Sequence, residues 1–164
     1  TIRHLKVSIH LLNDNAVDFI LKNVKTNDIR KLSLDVSEID CQNPAPFLLE
    51  LSSHVHALRI SYNGGGVYFG VNNPDWVALI INMFTRKLDK FSLEDYHFHG
   101  ILTSANVRTL CERLPGMNKK IWFEATFSPD SKARNSTQND HIIIVSRSPL
   151  QIKHFSRIGE DFEE

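Results

Sequence analysis

The sequence predicts an α/β fold, a short array of parallel strands that alternate with helices. Three observations lead to this prediction. A frame of apolar positions, φ-x-x-φ-x-φ, recurs along the chain, and segments with helical periodicity lie between its copies. The length of 164 residues suits one domain with one continuous core. We therefore expect a single repeat-like domain over residues 1–158, followed by an acidic tail at 159–164.

The copies of the apolar frame supply the predicted strands. Complete copies begin at Ile29, Val55 and Leu88, with a further copy at Ile2 and one at Asn118 whose first position is polar. From position 34 to 60 is 26 residues, from 60 to 93 is 33, and from 93 to 123 is 30. Leucine-rich repeats run at roughly 20–29 residues per unit. The pattern is therefore typical of a leucine-rich-repeat-like array in which two units carry insertions.

Helical periodicity marks four segments between the frame copies. The segments are 16–24, 46–51, 74–86 and 103–114. The first has an apolar stripe that includes Phe19, and Asp14 or Asn15 is expected to cap its start. Pro115 and the glycine after it end the fourth segment. The order strand, helix, strand predicts parallel strands joined by right-handed crossovers.

The last third of the chain is expected to contain one loop and one strand. Residues 128–140 include a single apolar residue, Ala133, which predicts a mobile loop. His141–Ser146 is a β-branched apolar run and is interpreted as the final strand. The acidic tail after it is expected to fray.

Charge and cysteine content narrow the function classes. Nineteen basic residues balance nineteen acidic ones, and a net charge of zero argues against a general nucleic-acid binder. Cys41 and Cys111 lie far apart with no CxxC spacing, which indicates a reducing compartment, the cytoplasm or the nucleus. The longest apolar run, Trp76–Ile81, is far shorter than a membrane span.

Motifs for catalysis and for metal binding are weak. The pairs His54-x-His56 and His97-x-His99 have the spacing of a chelate on a strand, but no cysteine or carboxylate cluster completes a site. The triple glycine Gly64–Gly66 lacks the lysine of a phosphate loop and is interpreted as a turn. No nucleophile motif is present. We therefore expect a non-catalytic protein with no cofactor and no metal.

The residues between the apolar positions of each strand point away from the core and form the candidate binding surface. The predicted columns are Lys6, Lys31, Ala57, Lys90 and Lys120; Ser8, Ser33, Arg59, Ser92 and Trp122; and His10, Asp35, Ser61, Glu94 and Glu124. This face is either a solvated surface that keeps the domain soluble or a surface for a protein partner. Arginine and tryptophan are enriched at binding hot spots, which makes Arg59 and Trp122 the expected anchors. The candidate partner-binding residues are Lys31, Ser33, Asp35, Arg59, Lys90, Glu94, Lys120, Trp122 and Glu124.

One segment is similar to a known family. Residues 75–90, DWVALIINMFTRKLDK, resemble the F-box-associated regions of the large nematode F-box families, and Leu114-Pro115 with the later segment Lys119–Glu124 adds to the likeness. The resemblance covers the second half of the chain well and the first half only in the style of its repeats. It implies a module that follows an F-box and selects substrates for an SCF-type ubiquitin ligase. It implies no catalytic residues, and no F-box is visible near Thr1.

Three function classes stay open on the sequence. The leading hypothesis is a protein–protein interaction module, with the substrate of a ubiquitin ligase as its partner. The alternative is an RNA-binding module that uses the lysine column, with affinity that falls steeply with salt. The third is an enzyme, which requires a deep polar pocket with convergent titratable groups. The sequence leaves the oligomeric state open, since an exposed sheet edge would permit pairing.

Overall fold

A computed structural model describes residues 3–41, 43–63, 75–95, 101–127, 140–147, 150–157 and 160–161. Over these residues, eight strands form one sheet in which the strands follow one another in chain order. The strands are β1 (His4–Leu12), β2 (Lys31–Ile39), β3 (Ala57–Tyr62), β4 (Lys90–Asp95), β5 (Ile121–Phe127), β6 (Asp140–Arg147), β7 (Leu150–Arg157) and β8 (Glu160–Asp161). The helices are α1 (Asp14–Thr26), α2 (Pro44–His54), α3 (Trp76–Phe84) and α4 (Ser104–Arg113), with a 3-10 turn at Leu114–Gly116.

The predicted α/β fold is confirmed. Strands β1 to β5 are parallel to one another, and a helix lies between each pair along the chain. Each helix packs against the next one, which places α1 to α4 in one layer on one face of the sheet. From β5 onward the pairing becomes antiparallel. The strand predicted at His141–Ser146 is confirmed as β6, but β7 and β8 were not predicted, because they contain no copy of the apolar frame.

Two expectations for the C-terminal end are wrong. The run His141–Ser146 lies in β6, which is followed by two more strands. The pair Glu160–Asp161 forms β8 and lies in register with the end of β7, although the sequence predicts a frayed tail there. The predicted loop at 128–140 lies outside the described residues except for its last residue, Asp140, which is the first residue of β6. The apolar residues of β7 do not follow the frame, and β8 contains none, which is why the apolar pattern did not reveal these pairings.

Each helix begins at a polar N-cap residue. The side chains of Asn13, Asn43, Asp75 and Thr103 accept hydrogen bonds from backbone N–H groups of the first turn at 3.0, 3.0, 3.0 and 3.1 Å. The predicted cap of α1, Asp14 or Asn15, is therefore wrong by one or two positions. Asn13 has an extended backbone, with φ −104° and ψ 179°, and only this conformation lets a side chain reach back to the helix.

The apolar frame forms the core as predicted. Its residues in β2, β3 and β4 are at most 6% exposed, and they pack with the inner faces of the helices in one cluster. Phe123 of β5 lies at its centre, with ring centroids 6.4 Å from Phe84 and 5.9 Å from Phe91. Phe19 departs from its predicted place in the apolar stripe, since it is 62% exposed. Its neighbour Ile20 takes the core face, and one residue along a helix rotates the side chain by about 100°.

The predicted columns are correct for β2, β3 and β4 but wrong for β1 and β5. Lys31, Ala57 and Lys90 do lie side by side. However, Lys6 lies beside the serine that follows Lys31 by two residues, and Trp122 lies beside Lys90. A shift of two residues keeps every polar side chain on the same face, so the apolar pattern does not detect it.

Candidate functional site: the open face of the sheet

The sheet face opposite the helices, which we call the open face, presents three rows of side chains across β1 to β5. The rows are His4, Lys31, Ala57, Lys90 and Trp122; Lys6, Ser33, Arg59, Ser92 and Glu124; and Ser8, Asp35, Ser61, Glu94 and Thr126. Parallel sheets are usually covered on both faces. The described helices of this chain form a single layer on the other face, and the residues of these rows are exposed or half-buried except Ser33 and Ser61, which are buried.

The middle of the open face contains an ion pair between Arg59 and Glu94. The Arg59 Nη2 atom contacts the Glu94 Oε1 atom, and the pair joins β3 to β4. The Arg59 side chain is 52% exposed, so a partner could reach it. An exposed ion pair of this kind contributes only about 0.2–1 kcal/mol to stability. Such a pair favours one position of the guanidinium group without fixing it.

A chain of polar contacts crosses from β4 to β6 and restrains Trp122. The Lys90 Nζ atom lies 5.1 Å from the centroid of the Trp122 ring, in a cation–π arrangement. The Trp122 Nε1 atom donates to the Glu124 Oε2 atom at 3.4 Å, and the Glu124 Oε1 atom lies 3.0 Å from the His141 Nε2 atom. The indole ring is half-buried and supported on two sides. The cation–π contact and a long, weak hydrogen bond therefore restrain the ring without fixing it.

The β1 side of the open face is held by weaker contacts. The Lys6 Nζ atom lies 3.4 Å from the Asp35 Oδ2 atom, to which the Ser8 hydroxyl donates at 3.5 Å. The His4 Nε2 atom is 3.0 Å from the Ser33 Oγ atom, and Ser33 is only 6% exposed. Ser33 therefore supports the face rather than offering a contact area.

A shallow depression of about 190 Å³ lies at the centre of the open face. Its lining includes Lys31, Ala57, Arg59, Lys90 and Glu124. Small-molecule sites usually have volumes of roughly 300–1,000 Å³. The depression is therefore better matched to one side chain of a larger partner than to a small molecule.

The predicted site residues are only partly brought together. Lys31, Arg59, Lys90, Glu94 and Glu124 line the depression, and Trp122 is adjacent through Lys90 and Glu124. Asp35 lies beside Lys6 at the β1 side. Lys120 is exposed just before the start of β5 and does not join the row of Lys31 and Lys90.

Sequence reasoning missed His141, the partner of Glu124. This histidine begins the apolar run of β6, and nothing in its local sequence marks it as a site residue. The antiparallel register of β5 and β6 places it next to Thr126, which lies two residues from Glu124 on the same face of β5. The contact can be predicted only if it is known that the chain turns back after β5 and that β6 pairs with β5 in this register.

A second cluster that the sequence did not indicate lies near the amino ends of β4 and β5. The Lys119 Nζ atom lies 2.7 Å from the carbonyl oxygens of Arg86 and Leu88, and 3.0 Å from the Asp89 Oδ1 atom. The His56 Nδ1 atom lies 3.0 Å from the Asp89 Oδ2 atom. Partial burial alone would raise the pKa of Asp89, but the hydrogen bonds from His56 and Lys119 outweigh it and lower the pKa below its ordinary value. This is a structural cluster that ties the loop after α3 to the start of β5.

The chelate interpretation of His54 and His56 is not supported by their positions. His54 is the last residue of α2 and contacts the Glu50 carboxylate at 3.1 Å, whereas His56 contacts Asp89. Among the described residues, no group of three or more histidines, cysteines and carboxylates could hold a metal ion. His97, His99 and the triple glycine at 64–66 lie outside the described residues.

No disulfide joins Cys41 and Cys111, and Cys111 is buried. Burial raises the pKa of the Cys41 thiol, and a backbone hydrogen bond only partly opposes this. A raised pKa disfavours the thiolate, so Cys41 lacks the feature that activates a nucleophilic cysteine.

In the part of the chain that the structure describes, no helix is long and apolar enough to cross a membrane.

Comparison of the chain with models of known protein families, with curated proteins and with solved structures finds no match in any of the three.

Proposed function

We propose that the chain is a protein-interaction module that binds its partner on the open face of the sheet, with Trp122 and Arg59 as anchors. The observation that carries this proposal is the arrangement of polar side chains on the open face. Five parallel strands present them, the described helices lie on the opposite face, and the two anchors are held by neighbouring side chains.

The held positions of the anchors favour binding over a purely solvated surface. Ordering a long side chain at an interface costs about 0.5–1.5 kcal/mol. Glu94 already restrains Arg59, and Lys90 and Glu124 already restrain Trp122. Part of this cost is therefore met in the free protein. Tryptophan and arginine are also the residue types on which interfaces most often depend.

The resemblance to F-box-associated regions extends the proposal to the identity of the partner. We propose that the chain is the substrate-recognition region of an F-box protein in an SCF-type ubiquitin ligase, and that its partner is a ubiquitination substrate. The support for this step is the likeness of residues 75–90 and of the later segment Lys119–Glu124. The proposal does not include RNA. Of the four lysines in the predicted column, only Lys31 and Lys90 lie in one row of the sheet.

Affinity purification of the full-length protein from its own cells, followed by mass spectrometry, tests both steps. Trp122→Ala and Arg59→Ala should lose the bound clients, because each removes an anchor of the open face. Two matched controls lie in the helix layer: Phe19→Ala on α1 and Arg108→Ala on α4, both at exposed positions.

The outcomes separate the two steps of the proposal. Clients that disappear with Trp122→Ala and Arg59→Ala but persist in both controls support binding on the open face. Identical client sets in all variants would show that the open face is not the binding surface. Recovery of a Skp adaptor and a cullin supports ligase membership, while clients without either of them leave a binding module and contradict the ubiquitination step.

A further inference from the structure

The unneutralised positive charge of the open face is concentrated around Ala57. Lys31, Ala57 and Lys90 lie side by side on β2, β3 and β4, so the Cα atoms of the two lysines are about 10 Å apart. Between them Ala57 presents only a methyl group, and it is half-buried in the floor of the central depression. We call Lys31, Ala57 and Lys90 the Ala57 patch.

The acidic side chains of the open face are already engaged elsewhere. Asp35 pairs with Lys6 and Glu94 with Arg59, and Glu124 lies within hydrogen-bond distance of the His141 imidazole. Among the described residues, neither lysine of the patch has an ion-pair partner. Lys90 instead rests on the Trp122 ring. The patch is therefore locally positive, although the net charge of the whole chain is zero.

We propose that the Ala57 patch binds a carboxylate side chain of the partner, so that the partner contacts the open face with a segment containing aspartate or glutamate. This inference rests on the proposed function and specifies the chemistry of the partner. A carboxylate has two oxygen atoms, each of which accepts hydrogen bonds from an ammonium group. The depression above Ala57 has room for one such side chain.

The same face disfavours an extended polyanion. Asp35 and Glu94 follow Lys31 and Lys90 by four residues, or about 13 Å along the strands. Glu124 lies nearer still, in the second row. A nucleic-acid backbone that runs along the strands would place several phosphates beside these carboxylates. A single carboxylate above Ala57 lies nearest Lys31 and Lys90, although Glu94 and Glu124 also line the depression.

The test begins with selection of random peptides displayed on phage against the 164-residue chain. Selected peptides are then synthesised with blocked termini in two forms, one with glutamate at each acidic position and one with glutamine. Isothermal titration calorimetry at low salt measures both forms. We expect the glutamine form to bind about 5- to 10-fold more weakly, since two exposed ion pairs are lost. The difference should shrink as salt is added.

Variants of the chain locate the effect. Lys31→Met and Lys90→Met should each reduce the glutamate-to-glutamine difference, because each removes one ammonium group from the patch. Lys22→Met is the matched control, since Lys22 is an exposed lysine on α1 in the helix layer. It should leave the difference unchanged.

The outcomes distinguish failure of this inference from failure of the proposed function. If Trp122→Ala leaves the affinity of the selected peptides unchanged, they bind away from the open face, and the proposed function fails with the inference. If Trp122→Ala weakens binding but the glutamate and glutamine forms bind equally, only the carboxylate inference is overturned. It is also overturned if a single-stranded RNA oligonucleotide binds more tightly than the peptides and this binding is lost in Lys31→Met.

Discussion

Replacing Lys119 by methionine tests whether one lysine holds the loop after α3 to the start of β5. The ammonium group donates to the carbonyl oxygens of Arg86 and Leu88 at 2.7 Å each and approaches that of Phe84 at 3.4 Å. It also pairs with Asp89 at 3.0 Å. Methionine keeps the length of the side chain and most of its apolar contacts but removes all four interactions.

The expected loss follows from these contacts. A hydrogen bond from a charged donor contributes about 1.5–3 kcal/mol when it is shielded from water. The Lys119 side chain is 29% exposed, so solvent weakens each contribution, and the bond at 3.4 Å is marginal. The exposed pair with Asp89 adds at most about 1 kcal/mol. We expect the free energy of unfolding to fall by about 2–3 kcal/mol.

Urea denaturation followed by circular dichroism measures this change as a shift of the midpoint with an unchanged slope. Lys120→Met is the matched control, because Lys120 is the next residue and is exposed. It should change stability by less than about 0.5 kcal/mol. If the two variants unfold at the same urea concentration, the Lys119 contacts do not stabilise the fold and the reasoning is refuted.

Three further predictions concern the core, a helix cap and alkaline pH. Phe123→Ala should lower the unfolding free energy by about 3–5 kcal/mol in the same urea assay, since this ring is fully buried; a loss below about 1 kcal/mol would contradict its central place. Asn13→Ala should lower the unfolding free energy by about 1 kcal/mol and Asn15→Ala by much less, because Asn13 is the cap of α1. A larger loss for Asn15→Ala in thermal unfolding would show that Asn15 is the cap. Burial first, and two nearby carboxylates second, raise the pKa of Tyr62 to about 12. The unfolded chain therefore releases this proton at lower pH, so the stabilising contribution is complete below about pH 10 and is lost as the pH rises toward the folded value. Tyr62→Phe should flatten the decline of stability over this range, and an unchanged decline would show that another group causes it.

The fold was largely readable from the sequence because burial imposes a pattern. The apolar frame positions of β2, β3 and β4 face the helices, so their spacing carries the alternation of strand and helix directly. The register between neighbouring strands is harder to read from the sequence than the order of strands and helices. A two-residue slip of β5 exchanges Phe123 for Ile121 beside Phe91 and leaves every apolar side chain inside. Only packing volume distinguishes the two alignments, and volume is not visible in a pattern of apolar and polar letters.

The candidate site was predictable only in the central strands, β2 to β4, where the apolar frame gives the correct register. The central strands were aligned correctly, and this alignment brought Lys31, Arg59 and Glu94 onto the same part of the open face. The contact of His141 with Glu124 depends on the chain turning back after β5. The role of Lys119 depends on carbonyl groups of a loop, and backbone oxygens leave no mark in the sequence. Polar contacts of these two kinds can be identified only from a three-dimensional structure.

The change of strand direction at β5 gives the sheet two unequal ends. At one end, β1 is a nine-residue parallel strand that follows the same strand–helix pattern as its neighbours. At the other end, β6 and β7 pair in antiparallel orientation, and the two-residue β8 is the last described strand. A strand–helix unit copied from β2 and α2 would therefore find a matching edge beside β1 and none beyond β8. Among the described strands, the pattern can therefore be continued beside β1 but not beside β8. A design that lengthens the binding face would add units ahead of residue 4.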